Sequence, residues 1–182
     1  MFIQTESTPN PATLKFLPGA AVMPGGATAN FLTAAEAGRS PLAKRLFEMD
    51  GVAGVFLGAD FITVTKAGAA DWAAMKPIIL GAIMDHFTSG QPAVETQAAG
   101  PAGAADDPIV VQIKELLDTR VRPAVAQDGG DIVFRRFEDG IVYLHMQGSC
   151  SGCPSSTATL KHGIENMLRH YIPEVAEVRA VE

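Results

Sequence analysis

The sequence predicts an α+β protein of two small domains joined by a flexible linker, the second domain running α-β-β-α-β. Three observations carry this. Apolar residues recur at strand spacing and at helical spacing in both halves of the 182-residue chain. Residues 91–106 are rich in Ala, Gly, Pro and Gln and hold neither period, which is linker composition. No internal repeat relates the halves, so the domains read as 1–90 and 107–182.

In the first domain, residues 2–5 and 13–17 alternate as strands around the turn-rich Ser7-Thr8-Pro9-Asn10-Pro11. At most a short strand follows over 29–32. Ser40-Pro41 supplies an N-cap and a first helical position, with Leu42, Leu46 and Phe47 on one face. Residues 52–57 and 61–65, separated by Gly58-Ala59-Asp60, read as a hairpin. A helix is expected from Asp71 or Met75 to Phe87 with Met75, Ile78, Ile79, Ile83 and Phe87 inward; Pro77 is awkward unless the helix starts just before it. The domain has no cysteine and no catalytic constellation, and reads as a docking module that selects partners.

In the second domain, Asp107-Pro108 caps a helix with Ile109, Val110, Ile113, Leu116, Leu117 and Val121 on one stripe. Asp128-Gly129-Gly130-Asp131 breaks it; the aspartates have the chemistry of hard-metal ligands or acid/base residues, but the expectation favoured is that both glycines supply positive φ and the aspartates cap and solubilise the break. Residues 132–137 and 141–146 flank Asp139-Gly140, a strong two-residue turn signal. A helix over 155–171 carries Leu160, Ile164, Met167, Leu168 and Tyr171, with Ser155 or Ser156 as its N-cap. Pro173 and a strand over 175–181 close the chain.

Composition bounds the function. With 47% hydrophobic and 19% charged residues the chain builds ordinary cores. A net charge of −6 argues against non-specific binding to nucleic acid or anionic membranes. No apolar run approaches the ~18–20 residues of a membrane span. The first residues lack the pattern of a signal or transit peptide, and two closely spaced cysteines make no useful staple, so a reducing cytoplasm is expected.

Chemistry concentrates in Gly148-Ser149-Cys150-Ser151-Gly152-Cys153-Pro154, which holds both cysteines of the chain. A loop at a helix N-terminus is expected to favour thiolate over thiol. Two such thiolates can chelate half of a four-ligand site, cycle as a dithiol and disulfide, or sit inert. A complete all-thiolate zinc or iron–sulfur shell needs four ligands, so it would take a second copy of the chain.

Gly148-Ser-Cys-Ser-Gly-Cys-Pro-Ser-Ser-Thr with Leu160, preceded by Arg122-Pro-Ala-Val-Ala-Gln-Asp-Gly-Gly-Asp-Ile, resembles the C-terminal domain of NifU-type (Nfu) iron–sulfur proteins. The stretch from Met1 to Phe16, with Ser40-Pro-Leu-Ala-Lys-Arg-Leu-Phe, resembles the separate Nfu N-terminal domain. The resemblance implies that Cys150 and Cys153 bind a labile cluster, usually 4Fe–4S, shared between two protomers and passed to apo-proteins. It further implies a homodimer when loaded, an upstream assembly scaffold as donor, and no enzymatic activity; a 2Fe–2S form is the other cluster type to consider.

The rival reading is a dithiol oxidoreductase, since C-x-x-C at a strand-to-helix junction is also the redox arrangement. Against it, α-β-β precedes the motif where a thioredoxin-like fold places a βαβ unit. Structural zinc bridging two chains is a third reading. His145 and His162 are the nearest further donors, although lone histidines at such places usually serve as hydrogen-bonding partners. Arg120, Arg122, Arg135 and Arg136 form a local basic group, and His86 and His170 fall on polar helix faces.

Overall fold

The computed structural model describes residues 1–95, 107–151 and 154–181, with the backbone alone at Ser156. The chain divides into two compact units, Met1–Gln97 and Ala98–Glu182.

The first unit is an antiparallel sheet in the order β1-β2-β5-β4-β3, from β1 (Gln4–Ser7), β2 (Thr13–Leu17), β3 (Ala29–Phe31), β4 (Val52–Leu57) and β5 (Ile62–Lys66). Register explains the core. Phe16 pairs with Ile62, Val55 with Val64, Leu57 with Ile62 and Phe31 with Val55, so one face gathers these apolar side chains. Helices α1 (Pro41–Phe47) and α2 (Trp72–Ser89) contribute Leu42, Leu46, Met75, Ile79 and Ile83 to the same core.

Ser40 caps α1 as expected, accepting a hydrogen bond from the Ala43 N–H at 3.0 Å. Its hydroxyl also donates to the Ala93 carbonyl, and the Glu95 N–H donates to the Arg39 carbonyl at 2.8 Å. Ala93 is buried. Residues 91–95, placed in the linker by composition, are therefore packed on the first unit; the rest of that stretch lies outside the described residues.

Two side chains of α2 differ from expectation. Ile78 is 59% exposed and His86 is 1% exposed. This helix is apolar nearly all round, so spacing alone did not say which stripe faces inward. Asp71 caps it, and the helix continues through Pro77.

In the second unit, α3 (Pro108–Leu116) runs through one wide turn, Leu117–Val121, into α4 (Arg122–Gln127). Pro123 has no N–H to donate to the preceding turn, and the wide turn accommodates that loss. Strands β6 (Gly130–Glu138) and β7 (Ile141–Gly148) form the expected hairpin, with Asp139 at φ 51° and Gly140 at φ 76° in its turn. Helix α5 (Pro154–Tyr171) then carries the chain back so that β8 (Glu177–Val181) pairs in parallel with β7. The three-stranded sheet has the order β6-β7-β8. Its core collects Ile113, Leu117, Ile132, Val142, Leu144, Ile164, Leu168, Val178 and Cys150.

Candidate functional site

The cysteine loop leaves the end of β7, the central strand of the second unit. Inward and outward residues alternate along β7, so Val142, Leu144 and Met146 face the core while Tyr143, His145 and Gln147 face away. Gly148, at φ 64°, turns the chain out of the strand in a conformation that glycine adopts without penalty. The Ser151 N–H and hydroxyl both return to the Gly148 carbonyl, at 3.2 and 2.9 Å.

The Asp128-Gly129-Gly130-Asp131 segment clasps this loop from the facing strand. Gly130 pairs with Gly148 and Asp131 with Gln147. The Ser149 N–H donates to the Gly129 carbonyl at 3.2 Å, and the Ser149 hydroxyl donates to the Asp128 carbonyl. From the other side, the Thr157 hydroxyl of α5 donates to the Cys150 carbonyl at 2.9 Å. Cys150 is thus fixed by backbone contacts on both flanks. Pro154 opens α5 at its first position, where its missing N–H costs nothing, so Ser155 lies inside the first turn rather than capping it.

The thiol itself departs from expectation. Cys150 is 5% exposed and belongs to the apolar core. Burial pushes its thiol up to about 11; hydrogen bonding by Ser149 pulls the other way, and the Asp128 and Asp131 carboxylates add to the rise. The expected favouring of thiolate by the helix N-terminus is therefore overturned at Cys150. The helix field fades within about a turn, whereas removing a sulfur anion from water costs more than that field returns. Cys153, the other expected ligand, lies outside the described residues, as does Gly152.

Asp131 is buried, and it receives a two-pronged hydrogen bond from Arg122: Nε to Oδ1 at 2.8 Å and Nη2 to Oδ2 at 2.9 Å. The Ile132 N–H also donates to Oδ1 at 2.8 Å, and Arg122 reaches Asp118 at 3.2 Å. The guanidinium is held even more firmly protonated than usual by the bond to Asp131. This planar match anchors α4 to the start of β6, the strand that bears on the cysteine loop. Sequence reasoning treated Asp131 as a capping or solubilising residue and missed this role. The signal available was an arginine nine positions upstream of a carboxylate beginning an apolar strand, which is weak without the fold.

The remaining candidates do not converge on the loop. His145 faces away from the Cys150 side of the sheet, and its Nδ1 lies 3.1 Å from the Val181 carbonyl. Arg120 lies over the Tyr171 ring and Arg136 over the Tyr143 ring, at 5.1 and 4.3 Å from the centroids, so the basic group is divided among separate partners. His86 is in the first unit's core, not on a polar face. Among the described residues, no group of three or more His, Cys, Asp or Glu is placed to hold a metal ion.

Comparison with known proteins adds identity to this geometry. The N-terminal domain family of the scaffold protein Nfu/NifU matches residues 3–90, and the NifU-like domain family matches residues 113–179. The human NFU1 iron-sulfur cluster scaffold homolog, mitochondrial, is 56% identical over the whole of this chain, which spans 72% of the human protein. The protein of the same name from Drosophila sechellia is 54% identical over the whole chain, which spans 65% of it, just under two thirds. The solution structure of a NifU-like protein from Saccharomyces cerevisiae is similar over 53% of this chain and 87% of that one, at 26% identity and a TM-score of 0.49. The expected cytoplasmic location is corrected by these relatives, whose names place them in mitochondria. Two closely spaced cysteines point to reducing surroundings and do not separate one reducing compartment from another.

Proposed function

Because the chain belongs to the Nfu/NifU scaffold family, we propose that it is a non-enzymatic carrier that receives an iron–sulfur cluster and hands it to apo-proteins. The observation that carries this reading is the confinement of both cysteines of the chain to the few residues of sequence between β7 and α5. Cys150 and Cys153 of one copy, with the same pair of a second copy, make up the four thiolates of a closed 4Fe–4S shell. The same four serve a 2Fe–2S form. A cargo held across two copies is lost when either pair of ligands is displaced, which suits transfer to a client with free cysteines. The donor is an upstream assembly scaffold, and the first unit, with no cysteine of its own, selects partners.

The buried thiol bears on the rival. A dithiol oxidoreductase uses its leading cysteine as an accessible thiolate of lowered pKa. Cys150 is buried with its thiol pushed up to about 11, which disfavours metal-free thiol exchange. A metal cluster supplies the charge that draws off the proton, because ligation and deprotonation are coupled.

Anaerobic reconstitution with ferrous iron and sulfide tests the proposal, read by absorption, metal analysis and light scattering. One cluster per two chains and a dimeric mass are expected, with stable loading lost in Cys150→Ser and in Cys153→Ser. A loaded monomer without external thiol, or zinc as the metal retained, overturns it. Transfer to an apo-enzyme in the presence of an iron chelator should restore activity; interception of most of the iron by the chelator refutes the carrier role.

A further inference from the structure

Gly130 stands at the start of β6, opposite Gly148. Its neighbour Gly129 has φ 80° and Gly148 has φ 64°, so those two positions call for glycine on backbone grounds. Gly130 is not among the residues of positive φ, so its backbone conformation does not itself call for glycine. What it lacks is room. A Cβ added there would lie 2.4 Å from the Cys150 Sγ, 2.8 Å from the Gln147 carbonyl oxygen and 3.1 Å from the Cys150 nitrogen. The sulfur, together with the Gln147 carbonyl, therefore occupies the volume that a side chain at 130 would fill.

We propose that Gly130 is a positioning residue of the cysteine site: by lacking a side chain it leaves a slot in which the Cys150 thiol is stowed in the unloaded protein, so that loading requires Cys150 to leave the slot. The inference rests on the reading of Cys150 as a cluster ligand. The thiol of a cysteine that is only 5% exposed offers no approach to an iron atom that is also ligated from a second copy. Exit is a local event. The contacts that hold the loop on the slot side are the Ser149 N–H to the Gly129 carbonyl and the Ser149 hydroxyl to the Asp128 carbonyl. The Thr157 contact to the Cys150 carbonyl lies on the α5 side and ties the loop to the helix as the thiol swings out. The apolar core then loses one sulfur and gains a void beside Gly130, which gives the unloaded loop a defined resting position.

The test is alkylation of the unloaded, full-length, reduced protein by iodoacetamide, with modification at Cys150 followed by tandem mass spectrometry, which resolves it from Cys153 on the same peptide. In the folded protein Cys150 is expected to react at least about tenfold more slowly than in the same chain in urea, because reaction waits on local opening. Gly130→Ala fills the slot and is expected to raise the rate about tenfold over the folded wild type, with its far-UV circular dichroism unchanged. A folded Gly130→Ala protein that reacts at the wild-type rate overturns the proposal. So does a folded wild type that reacts as fast as the urea-unfolded chain, a comparison that decides the matter alone if the variant does not fold. The assay contains no iron or sulfide. A failure of stowing is therefore read separately from a failure of Cys150→Ser to lose the cluster, which would overturn the carrier reading instead.

Discussion

Replacing Arg122 by Met keeps most of the aliphatic stem but removes the guanidinium that grips Asp131 through two bonds of 2.8 and 2.9 Å. The Asp131 side chain is 4% exposed and that of Arg122 33% exposed. Removing one partner of a fully buried pair typically costs about 3–5 kcal/mol, and the partial exposure of Arg122 lowers the expectation here to about 2–3 kcal/mol. The exposed contact to Asp118 adds little. At roughly 4–8 °C per kcal/mol for a unit of this size, the second unit should melt about 10–20 °C earlier. Calorimetry of the full chain reads this. Trp72 is the single tryptophan and belongs to the first unit, so its fluorescence identifies the transition that should not move. Adding Asp131→Asn to Arg122→Met removes the buried charge while keeping an acceptor for the Ile132 N–H, and should recover more than half of the loss. A shift below about 2 °C in the single variant, or a double variant as unstable as the single, refutes the account of this pair as an anchor.

In the first unit, His86 is held below its ordinary pKa by burial and by the Arg45 charge, against a backbone hydrogen bond at Gln91 that favours protonation. The unfolded chain therefore takes up the proton first. Stability is full above about pH 6.5 and falls as the pH drops, by at most about 1.4 kcal/mol per pH unit from this group. His86→Phe should remove that part of the acid dependence in urea titrations followed by Trp72 fluorescence; an unchanged slope counts against it. Ser40→Ala removes the cap of α1 and the bond to Ala93 together, and should cost the first unit about 1–2 kcal/mol in the same titration while leaving the second transition in place.

The parts of this fold that were legible in the sequence are those fixed by neighbours along the chain. Asp139-Gly140 announces its hairpin because both residues must adopt positive φ. Ser40 and Asp107 announce their helices because a short acceptor side chain meets the first free N–H groups. The cysteine loop was legible for the same reason. Its state was not. Burial of Cys150 depends on Gly130, twenty positions upstream, and the role of Asp131 depends on Arg122 across a helix-to-strand break. Glycines at 129 and 130 look alike in sequence, yet one is required by its φ and the other by the Cys150 sulfur and the Gln147 carbonyl beside it. Along α2, hydrophobic residues on nearly every side concealed that Ile78 points outward and His86 inward.

The ladder between β6 and β7 zips from the Asp139-Gly140 turn, and Gly130 with Gly148 is its most distant pair. Hairpins close from the turn outward and fray from the open end inward, where the fewest bonds must break. The thiol slot thus lies at the open end of the ladder, farthest from the turn. Two glycines facing each other there bring no cross-strand side-chain pair to hold the end shut. Opening of this end would expose the sulfur without disturbing the strand centre, and the Ser149 contacts and the Arg122 grip on Asp131 are what such an opening must overcome.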